Sequence, residues 1–92
     1  MLERTVTIRN ALGMHARAAA RFVHAAGAFQ CRVTVTREDR GARRVDGKSI
    51  LGLLLLAAAR GVAIRITAEG ADEESALGAL CHLVEAGFGE EP

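Results

Sequence analysis

The residue with the clearest chemical potential is His15, which stands in the stretch LGMHARAAARFV, residues 12–23. The alanine-rich segment after it favours a helix that begins beside the histidine. Histidine is not among the residues preferred at a helix N-cap, so helix stability alone does not explain its position. A helix N-terminus offers unpaired N–H groups and the positive end of the helix dipole, and together these attract anions.

The chemistry that fits these parts is phosphoryl transfer to His15. Arg17 follows two residues later with a forked donor suited to phosphate, and Gly13 allows a sharp bend before the ring. The positive helix end and Arg17 disfavour the imidazolium, which keeps the ring nucleophilic, and the same charges stabilise a bound phosphoryl dianion. The alternative interpretation is a histidine that is only packed or solvated, the commoner case in a small domain.

Ser49 is a second candidate, because it precedes a leucine-rich segment as a helix N-cap would. It is either a cap alone or a phosphorylation site, since a phosphate at a helix N-terminus beside Lys48 is compatible with the fold. The sequence GKS at 47–49 is not a P-loop: that motif requires a glycine where Ala42 stands, and no buried parallel strand precedes it.

The remaining histidines and the two cysteines do not form a recognisable metal site. His24 and His82 lie within predicted helices, and no two of the three histidines have an i, i+4 spacing. Cys31 and Cys81 are far apart without a CxxC motif, so we interpret them as free buried thiols. We therefore expect no metal and no cofactor.

Composition restricts the class of protein. Ninety-two residues suit one domain, 1–92, and half of them are hydrophobic, but only 3% are aromatic. A net charge of +1 gives no strong attraction to nucleic acid or membrane. The apolar run at 50–59 is far shorter than the roughly 20 residues of a membrane span, and the start of the chain does not resemble a signal peptide. A cytoplasmic protein is expected.

The elements that position the candidate residues follow from hydrophobic periodicity. Alternating segments predict half-buried strands at 2–9, 29–36, about 43–45 and 62–69, and helical spacing predicts helices at about 16–26, 47–61 and 71–88. A charged hairpin loop, REDRGARR, occupies 37–44, and a frayed tail is expected at about 89–92. The order βαββαβα with two-faced strands predicts an α+β fold: a four-stranded antiparallel sheet with three helices on one face.

The second helix has more apolar residues than a two-layer core can cover. Its segment reads ILGLLLL at 50–56, so some of these side chains are either exposed as a docking patch or packed unusually deeply.

Three segments together resemble the HPr family of phosphocarrier proteins: GMHARAAARFV, GKSILGLLLLAAARG and ITAEGADEESAL. The resemblance covers nearly the whole chain and implies an HPr-like open-faced β-sandwich. It implies that His15 accepts a phosphoryl group on Nδ1 from enzyme I and passes it to an EIIA-type protein, with Arg17 stabilising the phosphate. It further implies that Ser49 matches the serine modified by HPr kinase/phosphorylase in some bacteria.

The family's shared docking surface lies on its first two helices, and the protein is expected to act as a monomer without nucleic-acid or membrane partners. The matching positions in this chain are Met14, Ala18, Arg21, His24, Lys48, Leu51, Gly52 and Leu55.

Two departures from the common pattern leave the branch of the family open. Sugar-system members usually have proline after the arginine, whereas this chain has Ala18, as in the nitrogen-type paralogue NPr. The loop at 37–44 is also longer and more basic than is usual in the family. Two other functions stay open: a regulatory binding module controlled through Ser49, and a nucleic-acid-binding domain that uses the basic hairpin, although the near-zero net charge disfavours the latter.

Overall fold

The structure, a computed structural model, describes residues 1–39 and 41–90. It confirms the predicted order of elements and the α+β class. The strands form one antiparallel sheet in the order β1-β4-β2-β3. The elements are β1 (Leu2–Thr7), α1 (Ala16–Gly27), β2 (Arg32–Arg37), β3 (Arg43–Asp46), α2 (Ile50–Leu56), β4 (Ala63–Glu69), α3 (Glu73–Glu85) and a 3-10 turn (Gly87–Gly89).

The sheet has one apolar face, which α1, α2 and α3 cover. Along β4 the residues alternate between buried and more exposed, and the register pairs Val6 of β1 with Ile64 and Val35 of β2 with Ile66. These side chains join Phe22 of α1 in a single core. Because full burial of a large apolar side chain contributes about 1.5–3 kcal/mol, this layer supplies most of the driving force for the fold.

The helix α2 is shorter than the sequence predicted, ending at Leu56 rather than near Gly61. Ala57 adopts a left-handed conformation with φ 51° and terminates it. The guanidinium of Arg37 donates to the carbonyls of Leu56 (2.9 Å) and Ala57 (2.7 Å). Carbonyls at the C-terminus of a helix have no partner within the helix, so the hydrogen bonds from Arg37 stabilise the termination of α2 at Leu56.

The strand β2 begins three residues later than the alternation at 29–36 predicted. The carboxylate of Asp72 accepts hydrogen bonds from the backbone N–H groups of Gln30 (2.8 Å) and Cys31 (2.9 Å). The N–H donor of Gln30, and then that of Cys31, lowers the pKa of Asp72 below its ordinary value despite partial desolvation. These amides therefore bind a side chain rather than a neighbouring strand.

The C-terminal end is more ordered than the frayed tail predicted from about residue 89. The helix α3 ends at Glu85, and the 3-10 turn follows with Phe88 buried in a left-handed conformation, φ 58°. The backbone N–H groups of Gly89 and Glu90 donate to the carbonyls of Ala86 and Gly87. Residues 91 and 92, the rest of the predicted tail, lie outside the described residues.

Candidate functional site

His15 occupies the N-cap position of α1, with φ −80° and ψ 179°. Its carbonyl accepts the first helical hydrogen bond, from the N–H of Ala19 at 2.8 Å. Its Nδ1 accepts a long hydrogen bond, 3.3 Å, from the backbone N–H of Arg17. The histidine is therefore a cap after all: Nδ1 performs the role that a serine or aspartate oxygen usually performs.

The turn before His15 is fixed against the segment that follows α2. The backbone of Gly13 has φ +65°, and a Cβ at that position would lie 2.6 Å from the carbonyl oxygen of Ala58. The next residue, Met14, is buried and donates its N–H to the same carbonyl at 2.9 Å. Only glycine fits here, and its tight approach fixes where α1 begins.

The second ring nitrogen of His15 faces the C-terminal end of the chain. Nε2 lies 2.5 Å from Oε2 of Glu90, and the two side chains are 24% and 13% exposed. Because Nδ1 accepts a hydrogen bond, the hydrogen-bond network assigns the proton of the neutral ring to Nε2, which donates to Glu90. The Nδ1 lone pair consequently lies at the helix N-terminus.

Asn10 binds the other oxygen of the same carboxylate. Its Nδ2 donates to Oε1 of Glu90 at 3.0 Å and to the carbonyl of Gly13 at 2.7 Å. The hydrogen bond from His15, and secondarily the one from Asn10, lowers the pKa of Glu90. The carboxylate is therefore held in its charged form beside the imidazole.

The two arginines of α1 have different roles. Arg17 is exposed, and its side chain makes no hydrogen bond or ion pair with the residues that the structure describes. Its guanidinium is therefore accessible from solvent. Arg21 donates from Nη1 to the carbonyl of Phe88 at 2.5 Å and so holds the turn that carries Glu90.

Ser49 is the N-cap of α2, as predicted. Its Oγ accepts a hydrogen bond from the N–H of Gly52 at 3.0 Å, and the residue is half-buried. The neighbouring Lys48 directs its ammonium group to the carbonyl of Phe29, 2.7 Å away. The ammonium group of Lys48 therefore binds the backbone after α1 and not the side chain of Ser49.

The predicted docking set divides into buried and accessible members. Met14 and Ala18 are only 4% and 0% exposed, so the structure contradicts their assignment to a contact surface. Met14 is buried in the turn before α1, and Ala18 lies on the buried side of the helix. Arg21, His24, Leu51 and Leu55 are exposed, and Lys48 and Gly52 are half-buried.

The second helix carries an apolar face that is open to solvent, so part of its leucine excess is exposed rather than deeply packed. Leu53 and Leu56 are buried, whereas Leu51 and Leu55 are 68% and 55% exposed. Spacings of three and four residues, between 50 and 54, 51 and 54, and 51 and 55, place the exposed side chains on one side of α2. We call this the apolar face of α2; its members are Ile50, Leu51, Leu54 and Leu55.

The described part of the chain has neither a metal-binding cluster nor a membrane-spanning helix. Residues 1–39 and 41–90 contain no group of three or more histidine, cysteine or acidic side chains that could hold a metal ion. None of the helices in those ranges has the length and apolar character needed to cross a bilayer. His24 and His82 are both exposed on their helices.

Fold and site together define an open-faced α+β domain with a histidine ring nitrogen at a helix N-terminus. A family model described as PTS HPr component phosphorylation site matches residues 2–86. The phosphocarrier protein HPr of Neisseria meningitidis is 47% identical over 90 residues, 98% of each chain. The chain belongs to the HPr family of phosphocarrier proteins of the phosphotransferase system (PTS).

Further relatives agree with this membership. The phosphocarrier protein NPr of Shewanella violacea is 42% identical over 89 residues, 97% of this chain and 94% of that one. The match to the crystal structure of HPr-C-His from Thermoanaerobacter tengcongensis covers 100% of each chain, with a TM-score of 0.91 and 41% identity. The match to the crystal structure of an HPr dimer from the same organism covers 98% of this chain and 100% of that chain, with a TM-score of 0.75 and 41% identity.

Sequence reasoning missed two members of the site, Asn10 and Glu90. Glu90 lies 75 residues from His15 in the chain, and no local periodicity connects them. The only available signal was the pair of glycines around Phe88, which permits the tight turn that brings Glu90 back.

Proposed function

We propose that His15 accepts a phosphoryl group on Nδ1 from enzyme I, itself charged by phosphoenolpyruvate, and passes it to an EIIA-type protein. The observation that carries this proposal is the position of Nδ1 at the N-terminus of α1, with its lone pair directed to the Arg17 amide rather than bonded to a proton. Membership of the phosphocarrier family supports the same chemistry.

The transfer requires little beyond positioning and charge. The Nδ1 lone pair forms the bond to phosphorus while the bond to the donor atom breaks and its electron pair leaves with the donor. The phosphoryl oxygens then face the free N–H groups at the start of α1 and the exposed guanidinium of Arg17. Such preorganised donors supply most of the stabilisation in phosphoryl transfer.

The protein acts here as a carrier rather than as a turnover enzyme, because transfer to the acceptor regenerates neutral His15. Donor and acceptor must each reach the same nitrogen, so one surface around it serves both in turn. We propose the apolar face of α2 and the exposed Arg17, Arg21 and His24 of α1 as that surface. Aliphatic side chains surrounded by arginines suit partners with an apolar patch and acidic rim.

Ser49 is proposed as a regulatory phosphorylation site of an HPr kinase/phosphorylase. The observation that favours it is its position: it caps α2 immediately before Ile50 and Leu51, two members of the apolar face. A phosphate there places about two negative charges beside the docking surface and would repel a partner with an acidic rim. Incubation with ATP and such a kinase should label the wild type and not Ser49→Ala.

The main test is phosphorylation by phosphoenolpyruvate and enzyme I from the same genome. We expect one acid-labile, base-stable phosphate per chain in the wild type and none in His15→Ala. His24→Ala is the matched control, because it removes an exposed histidine from the same helix, and it should still accept the group. Labelling of His15→Ala, or no labelling of the wild type, would refute the proposal.

A further inference from the structure

We propose that Glu90 is a positioning residue for His15: it holds the ring proton on Nε2 and stabilises the positive charge that the ring acquires when Nδ1 carries a phosphoryl group. The second half of this inference rests on the function proposed above; the first half does not. The geometry that carries it is the 2.5 Å contact between Nε2 and Oε2, made where both side chains are largely shielded from water.

The carboxylate is held at two points, so its orientation is fixed. One oxygen accepts from Nε2 of His15 and the other from Nδ2 of Asn10 at 3.0 Å. Asn10 is itself buried and bound to the carbonyl of Gly13, in the turn that leads to His15. The result is a chain of side chains, Asn10 to Glu90 to His15, in which the glutamate has little freedom to rotate away.

The turn that carries Glu90 is built at a cost in backbone energy. Gly87, Phe88 and Gly89 all have positive φ, at 66°, 58° and 73°. A non-glycine residue in this region costs about 1–2 kcal/mol, so Phe88 keeps it only because its ring is buried and Arg21 binds its carbonyl. The burial of Phe88 and the hydrogen bond from Arg21 therefore fix the turn, and the turn places the carboxylate of Glu90 against the ring of His15.

The chemistry explains what this contact can do. With its proton on Nε2, the ring is neutral, and its Nδ1 lone pair accepts the long hydrogen bond from the Arg17 amide. The ring becomes positively charged once that lone pair has exchanged this hydrogen bond for a bond to phosphorus. The charge returns to zero when the N–P bond breaks and its electron pair goes back to Nδ1; the proton stays on Nε2 throughout. Glu90 faces that charge as the buried aspartate faces the imidazolium of a Ser-His-Asp triad.

Other charged groups near this pair must be considered with it. Arg21 lies close enough to Glu90 to favour its charged form, and the backbone N–H of Arg17 binds the opposite ring nitrogen. Arg9, Arg60 and Glu85 line a cavity that Glu90 also lines. Of the side chains of these residues, that of Glu90 is the one bound to the ring. A neutral substitution of Glu90 and one of Glu85 therefore differ in that contact while changing the net charge equally.

The test compares Glu90→Gln and a chain that ends at Gly89 with Glu85→Gln as the matched control. Long-range 15N–1H NMR spectra report the His15 tautomer without any phosphoryl transfer. We expect the Nε2–H form in the wild type and Glu85→Gln, and a mixture with the Nδ1–H form in the two Glu90 variants. Phosphorylation by enzyme I should slow about tenfold in those variants only, because a charge-assisted hydrogen bond is replaced by a neutral one or lost.

The outcomes separate the role of Glu90 from the proposed phosphoryl transfer to His15. An unchanged tautomer and an unchanged rate in both Glu90 variants overturn the inference and leave the proposed function intact. A wild type that enzyme I does not phosphorylate refutes the proposed function, while the tautomer spectra still test the role of Glu90. Circular dichroism spectra and Tm values like those of the control show that a slower rate does not come from unfolding.

Discussion

The backbone N–H of Met14 donates a 2.9 Å hydrogen bond to the carbonyl of Ala58, and this contact joins the turn before His15 to the segment after α2. The two helices that flank the candidate site are therefore fixed to each other through backbone rather than through flexible side chains. A change in either segment is expected to move the ring of His15 relative to the apolar face of α2.

Gly13→Ala should disrupt this junction. The added Cβ would lie 2.6 Å from the carbonyl oxygen of Ala58, and the φ of +65° is unfavourable for alanine. We expect a loss of about 2 kcal/mol or more in the free energy of unfolding, measured in urea. Gly27→Ala is the control, because its Cβ would meet nothing within 4 Å in a helix; it should be neutral or slightly stabilising. Equal stability of the two variants would contradict the role of the junction.

The end of α2 should depend on Arg37. Its guanidinium is buried and binds the carbonyls of Leu56 and Ala57, so Arg37→Met leaves both unpaired. We expect a Tm lower by roughly 5–10 °C and faster hydrogen exchange in the last turn of α2. Arg44→Met removes an exposed arginine from β3 and should change neither. Slow exchange retained in α2 of the Arg37 variant would show that another contact ends the helix.

We expect the apolar face of α2 to contribute to partner binding and not to the stability of the fold. The double substitution Leu51→Ala and Leu55→Ala should change the free energy of unfolding by no more than about 1 kcal/mol, because both side chains are exposed. In the enzyme I assay the KM for this protein should rise about tenfold or more. Leu2→Ala, an exposed leucine on the edge strand β1, is the matched control and should leave the KM unchanged. A similar KM for all three proteins would exclude this face from docking.

Much of the fold was predictable because it depends on local patterns. The alternation in β4 and the helical spacing of Ala19, Phe22 and Ala26 on α1 identify which face of each element is buried. The place of His15 at the start of a helix was predictable for the same reason. The errors at Met14 and Ala18 show the limit of a resemblance, which identifies positions but not their burial. The burial of Ala18 depends on how α1 is rotated against the core, and that of Met14 on how the turn before α1 packs against the segment after α2.

The remaining features depend on contacts between residues far apart in the chain. Arg37 on β2 ends α2, and Asp72 before α3 binds the amides before β2. Glu90 reaches His15 across 75 residues. In each case a charged side chain binds backbone or ring atoms of another element, and no periodicity of hydrophobic residues records such a contact.

Acid should weaken the fold partly through Asp72. The N–H groups of Gln30 and Cys31 lower its pKa below the ordinary value of 3.8, so as the pH falls the unfolded chain takes up the proton first. The stability from this carboxylate is complete above about pH 5 and is lost as the pH falls through the folded-state pKa. Urea denaturation between about pH 6 and 2.5 should show a steeper loss for the wild type than for Asp72→Asn. The pKa values of Glu73 and Glu90 are also lowered, but both groups titrate in both proteins, so the difference between the curves isolates Asp72. Parallel curves would mean that these amide hydrogen bonds do not favour the charged carboxylate.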